Sequence, residues 1–386
     1  MTASAVASFR RPSRWQVVAL VGVAICLLLI LLEASFFLRP GPIDVLRGLA
    51  HHLFVIALLL VITVGTRTVS VASLGLFWLV GVFPVVFLAM VLQWLPAELL
   101  GTGPESPVST VVVPIIDSAV YLVPVAAYYA IAIRAKLQPA VSDGLLIGFA
   151  VGAGYAFFED AVIGDILLSG DGWLAARPWS LFAPTISEVG DGIALNHALW
   201  AALGGLSLGV AVMLRHRRHA WLIALIGPIL TAVNHGVTNL IASSFSVGGR
   251  GGLHPVAAIA DLLTVGGVLP LLAIFIGAMV VVTVELRALE SVAPRWAMLP
   301  SVPLATLGRL LARARTAAGV RRYLATGRYA RLRRVFMYSA WQAQETGTEA
   351  AAGGMQRLNE MALDAGLFSP HTRSSARELE AGTPVS

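Results

Sequence analysis

The 386-residue chain is a succession of long apolar blocks, and very few architectures accept that pattern. Runs at 16–32, 49–66, 70–95, 108–133, 141–168, 190–214, 220–243 and 255–284 each approach or exceed the ~20 residues that a helix needs to cross a bilayer. In hydrocarbon the backbone must satisfy its own hydrogen bonds, which a helix does within one segment. The expected fold is therefore all-α, a polytopic membrane bundle of about eight transmembrane helices. With 57% hydrophobic and 12% charged residues, the chain is excluded from the soluble enzymes. Its single cysteine, Cys26, rules out an intrachain disulfide and a cysteine-based zinc site.

Loop charges set the orientation. Arg10, Arg11 and Arg14, then Arg67, then Arg134 and Lys136, then Arg215, Arg217 and Arg218 fall on alternate sides of the runs. The opposite loops hold Arg39 and Arg47, then Glu98 and Glu105, then Arg177 among Asp171 and Glu188, then Arg250. The positive-inside rule places both termini in the cytoplasm, with the first run as a retained signal anchor. One lysine among 27 basic residues fits a GC-rich bacterial genome, and hence the plasma membrane of a bacterial cell. The net charge of +6 lies in loops and tail, so it points to an anionic inner leaflet and not to nucleic acid. Residues 295–334 contain ten arginines and no acid; Leu304–Ala318 and Tyr323–Phe336 read as amphipathic cytoplasmic helices lying on that leaflet. From Glu345 the chain turns polar, which predicts disorder towards the end.

Within the apolar runs a few polar residues stand out. Gly144–Asp160 carries a small-residue stripe, Gly144, Gly148, Gly152 and Ala156, and ends on Glu159 and Asp160. Such a stripe lets a neighbouring helix come close, and a carboxylate in a span normally faces a cavity or a partner. Asp117, about nine residues into the fourth run, Glu159, about eighteen into the fifth, His197, about seven into the sixth, and His235, about fifteen into the seventh, all fall in the outer half of the bilayer at ~1.5 Å per residue. That shared depth predicts one polar cavity opening outwards. Ala201, Gly205 and Gly209 continue the face of His197, and Thr231, His235, Asn239 and Ser243 form a polar stripe. Asp117 and Tyr121 share a face between Pro114 and Pro124, which are expected to bend their helix. His51 and His52 read as interfacial or packing residues rather than ligands.

Tyr155-x-x-x-Glu159, His197 in NHALWAALGG and His235-x-x-x-Asn239 in NHGVTN, in that order, resemble the motifs of the PrsW family of intramembrane proteases, relatives of the CAAX prenyl proteases. The resemblance covers roughly residues 110–245. The first motif departs: PIIDSAVY stands where the family has a Glu-Glu-x-x-Lys segment, so Asp117 alone remains acidic, with Ser118 and Tyr121 in place of the second Glu and the lysine. The chain then divides into a cytoplasmic N-terminal tail (1–14), accessory helices (15–107), a PrsW-like core (108–285), a basic amphipathic tail (286–344) and a polar end (345–386).

The resemblance implies hydrolysis of membrane-tethered proteins, such as anti-sigma factors, near the outer face. Glu159 would be the base, His197 and His235 polarising groups, Asn239 a second donor and Asp117 a support for a histidine or the water. No Lys or Arg lies inside any run, and a carboxylate in hydrocarbon needs a compensating charge. Either a divalent metal such as zinc on His197, His235 and Glu159 or protonated histidines would supply it. If Glu159 holds a metal, Asp160 or Asp117 becomes the base. The altered first motif also admits a catalytically inactive protein that binds transmembrane clients, and intramembrane acids and imidazoles also mark ion-coupled transporters.

Overall fold

A computed structural model describes residues 42–63, 66–100, 107–134, 139–159, 186–189, 192–215, 217–246, 259, 267–292, 300, 302, 304–346 and 361–362. The described residues are nearly all helical. In chain order they form α1 (Pro42–Ile62), α2 (Val71–Val80), α3 (Val86–Leu100), α4 (Pro107–Arg134), α5 (Val141–Phe158), the strands β1 (Ile186–Val189) and β2 (Gly192–Leu195), α6 (His197–Met213), α7 (Ala220–Ser246), α8 (Val268–Val292), α9 (Leu304–Ala312) and α10 (Ala317–Thr346). Five stretches are long and apolar enough to cross a membrane: 71–93, 112–134, 141–158, 220–240 and 268–290. His52–Val61 of α1 and all of α6 are shorter apolar helices. The first apolar run, the end of the fifth, Asp160 and most of the polar end lie outside the described residues.

At the centre stands α5, which is buried along almost its whole length. Its small-residue stripe is the contact surface for α6. A Cβ built on Gly148 would fall on the carbonyl oxygen of Ala201, one on Gly152 on that of His197, and one on Gly144 on that of Gly205. The reciprocal Cβ on Gly205 would meet Gly144. The two backbones therefore touch, as small residues at four-residue spacing allow. The opposite side of α5 does the same with α2: Gly154 lies against the Trp78 carbonyl, and Gly81 against that of Val151. Gly81 begins a π-helical turn, Gly81–Val85, that joins α2 to α3. Pro84 within that turn has no amide hydrogen to give an α-ladder, a usual origin of such irregularity. By contrast α4 runs unbroken through Pro114 and Pro124.

The periphery is apolar and open. Phe275 and Ile276 on α8, Ile229 and Val233 on α7 and Phe87 on α3 are each more than half exposed, as lipid-facing side chains are. His52 is a packing residue, as expected: it is buried, with Nδ1 3.1 Å from the Ala153 carbonyl oxygen of α5.

Two expectations are corrected. The sixth run does not begin as a helix at 190. Residues up to Leu195 pair antiparallel in the β1–β2 hairpin, and α6 starts at His197. Asn196 caps it in extended conformation, its Oδ1 accepting from the His197 amide at 2.7 Å, so an Asn-initiated N-terminus displaces the apolar pattern before it. His197 is thus the first residue of its helix and not one seven positions deep. The tail helices are also more than a surface layer. Tyr329, Arg334, Met337 and Tyr338 of α10 are buried. Arg334 pairs with Glu285 of α8, and both side chains are 1% exposed. Tyr338 also donates to Glu285, whose Oε1 accepts the Val141 amide at 2.6 Å. Arg334 further donates to the Thr66 carbonyl, and Tyr323 to that of Val61. Glu285, one position beyond the apolar run, is the acid that draws this cation in.

Two outcomes are expected. Gly148→Val drives a branched side chain into the Ala201 backbone and should lower stability by about 1–3 kcal/mol or more, read by thermal unfolding in detergent. Arg334→Met leaves Glu285 buried without its cation and should cost ~3–5 kcal/mol, while the double variant Glu285→Met/Arg334→Met recovers most of that loss.

Candidate active site

The four ionisable residues expected at a common depth do come together, at the C-terminal end of α5 and the N-terminal end of α6. Glu159 directly follows α5 with helical backbone angles, and its amide still bonds to the Tyr155 and Ala156 carbonyls. Its Oε2 is 2.5 Å from Nε2 of His197. The imidazole is buried and the glutamate side chain 37% exposed, so Glu159 is the member of the pair open to the surroundings.

The other nitrogen of His197 is engaged as well. Nδ1 meets the Tyr121 hydroxyl of α4. A carboxylate accepts, so a neutral ring facing Glu159 carries its proton on Nε2, leaving Nδ1 to accept from the tyrosine. Tyr121 stands where the resemblance expects a lysine, and it is buried, with its ring edge-on to both Tyr155 and His197. The missing cation is thus replaced by a neutral donor that fixes the tautomer and the plane of the imidazole.

Asp117, also buried, anchors the other half. Its Oδ1 accepts from Gln93 Nε2 at 2.7 Å and from the Tyr155 hydroxyl at 3.2 Å, and its Oδ2 lies 3.8 Å from His235 Nδ1. Ser118 is turned away from the cluster and bonds back to the Pro114 carbonyl at 2.6 Å. His235 stacks flat on Trp200, with ring centres 4.0 Å apart, and stands edge-on to His197 at 5.4 Å. Trp200 is held in turn: its Nε1 donates to Asn234 Oδ1 at 2.8 Å, and its carbonyl accepts from Thr231 at 3.0 Å. Thr231 therefore has an interhelical structural bond. Asn239 is half-buried one turn beyond His235 and joins none of these contacts; the Ser243 side chain lies outside the described residues.

A metal set of His197, His235 and Glu159 has suitable donors, and His235 Nδ1 is buried with no hydrogen-bond partner. As the side chains stand, however, no three His, Cys, Asp or Glu among the described residues converge on a point where an ion could sit. The reason is local: Tyr121 and Glu159 occupy both nitrogens of His197. The residues do not fit a three-ligand centre in this arrangement.

Sequence reasoning missed Gln93, Trp200 and Asn234, and it placed Tyr121 on the face of Asp117 and in the lysine's position without giving it a role. Gln93 did leave a signal, being the only side-chain amide in the run 70–95. Trp200 and Asn234 left none, because their bond joins two helices whose facing sides a sequence does not specify.

Together these features define a polytopic membrane protein with a buried acid–imidazole cluster where its central helix pair ends. Residues 69–281, just over half of the chain and including the whole cluster, match the family described as PrsW family intramembrane metalloprotease, and the chain belongs to that family. No curated protein and no solved structure matches it.

Tyr121→Phe should leave His197 Nδ1 buried without a donor, lowering stability by about 1–3 kcal/mol. Nitrogen NMR of the histidine ring should show a shift in the tautomer ratio, which a purely steric role of Tyr121 would not produce.

Proposed function

We propose that this chain is an endopeptidase that cuts membrane-tethered proteins, with anti-sigma factors as the substrate class, near the outer face of the membrane. Family membership supports peptidase chemistry. The observation that carries the reading is the Glu159–His197 contact, with Tyr121 bracing the far side of the ring. Peptide hydrolysis needs a base for water, donors for the developing oxyanion and an acid for the leaving amine. In this reading Glu159 is the base: one carboxylate oxygen is held by His197, leaving the other for the attacking water. The protonated Glu159 then hands the proton it took from water to the leaving nitrogen, while His197 Nε2–H keeps the carboxyl group oriented. His235 Nδ1, buried 3.8 Å from Asp117 Oδ2 and without a hydrogen-bond partner, is a group kept for a ligand oxygen. Asp117 positions that ring, held in place by Gln93 and Tyr155. Asn239 serves as a second donor once substrate is bound. The site is at the C-terminal end of α5 and the α10 contacts are at its N-terminal end. The 18 residues of α5, at ~1.5 Å each, separate them, which supports an outward site opposite a cytoplasmic tail.

The test is reconstitution of the purified protein with a library of single-span proteins. Glu159→Gln should lower cleavage by ~10²–10⁴-fold, and His235→Ala should lower it comparably. Cleavage unaffected by both substitutions would remove Glu159 and His235 from the mechanism. Stable capture of clients without cleavage would favour the second reading, an inactive client-binding protein, which the tyrosine in the lysine's place supports. A strong chelator in the same assay tests metal dependence. Loss of activity restored by zinc would mean that His197 gives up one of its two protein partners during turnover.

A further inference from the structure

The loop between α1 and α2 carries a second polar cluster, at the end of the bundle away from Glu159. Arg67 in that loop is 8% exposed, yet its Nε and Nη1 have no hydrogen-bond partner. Arg331 of α10 lies beside it; its Nε is buried and likewise unpartnered, and its Nη2 makes a single long bond, 3.4 Å, to the Thr68 carbonyl. The neighbouring tail arginines are paired, Arg333 with Glu290 and Arg334 with Glu285. Among the described residues neither Arg67 nor Arg331 has a carboxylate within ion-pairing distance.

The nearest acid is already committed. Asp143 accepts from the amides of Thr68, Val69 and Ala140 and from the hydroxyls of Thr68 and Tyr128. Burial, with the charge of Arg331 adding to it, holds the Arg67 guanidinium below its ordinary range, and Tyr323 opposes this. A buried Arg67 beside a half-buried Arg331, with Asp143 acting on Arg331 only at a distance and bonded to other donors, leaves guanidinium N–H groups short of acceptors, which is costly. The fold nevertheless holds them there through Tyr323–Val61 and Arg334–Thr66 bonds on either side.

We propose that Arg67 and Arg331 form a binding site for a phosphate-type oxyanion at the seam between the α1–α2 loop and α10. Planar guanidinium forks match phosphate geometry, and the pair supplies three buried N–H-bearing nitrogens, Arg67 Nε and Nη1 and Arg331 Nε, that have no hydrogen-bond partner among the described residues. An anionic lipid headgroup and free phosphate share this chemistry. The apolar side chain of Val61, 38% exposed beside the Tyr323 bond, offers an acyl chain a path away from the headgroup. Bound there, the anion would tie the tail to the core and stabilise both.

The test uses the full chain in detergent, with native mass spectrometry and thermal unfolding during titration with phosphatidylglycerol, phosphatidylcholine or inorganic phosphate. Phosphatidylglycerol should raise the midpoint and be retained as an adduct. The double variant Arg67→Gln/Arg331→Gln should bind it about tenfold or more weakly. Arg328→Gln, an exposed arginine on the same helix, should bind as wild type does. An arginine-dependent shift with inorganic phosphate that also displaces the lipid would support the site with free phosphate as its ligand. A shift with the anionic lipid alone would support it with a headgroup. Equal effects of the choline lipid, equal losses in the Arg328→Gln control, or no shift and no adduct in the wild type would each overturn it. Should the double variant fail to fold, Arg67→Lys/Arg331→Lys keeps the charges but loses the forks. It is then expected to bind more weakly than wild type, and unchanged binding would count against the site.

Discussion

The backbone contact between α5 and α6 is the constraint on which the rest depends. Gly144, Gly148 and Gly152 step along one helix while Gly205, Ala201 and His197 step back along the other, which fixes an antiparallel register. Helical side chains lean towards their own N-terminus. In this register Glu159 leans back along α5 and His197 leans outward past the end of α6, so the two groups approach each other across the helix pair. With bulkier residues at the seam, the axes would separate and the 2.5 Å contact between Nε2 and Oε2 would be lost. The small residues thus set the geometry of the site without taking part in it.

Around that contact the chain replaces charge with hydrogen bonds. The family pattern offers a lysine at the position of Tyr121; here a phenol reaches the same imidazole and gives it a fixed tautomer. Asp117, the one acid left in the first motif, is satisfied by an amide and a second phenol rather than by a cation. Neutral donors suit a buried site because they add no desolvation cost for a second ion. They also orient the imidazoles firmly, which a hydrolase requires and which a client-binding protein could use equally.

The other end of α5 is organised on the opposite principle. Glu285 and Arg334 form a fully buried ion pair that welds α10 to the bundle, and Asp143 gathers the loop after α1 around the start of α5. Polar groups therefore cluster at the two ends of the central helix, while its middle makes only apolar and backbone contacts. This division follows from the bilayer, since a helix buried among helices can place ionisable groups at modest cost only where water or another polar group is within reach.

The class of protein and most of the site residues were legible in the amino-acid order alone. Apolar run length made the chain a helical membrane protein, four-residue spacing of glycines marked the close helix pair, and the rarity of acids and imidazoles in hydrocarbon singled out Asp117, Glu159, His197 and His235. These features are periodic or costly, so they show in one dimension. Folding of the whole chain settled the rest: the β1–β2 hairpin cuts the sixth run short, Tyr121 holds His197, Trp200 stacks on His235, and Arg334 comes from the tail to meet Glu285. Each of these depends on which face of one element meets which face of another, far apart in the chain. That choice is made by packing of the whole bundle, and no local pattern records it.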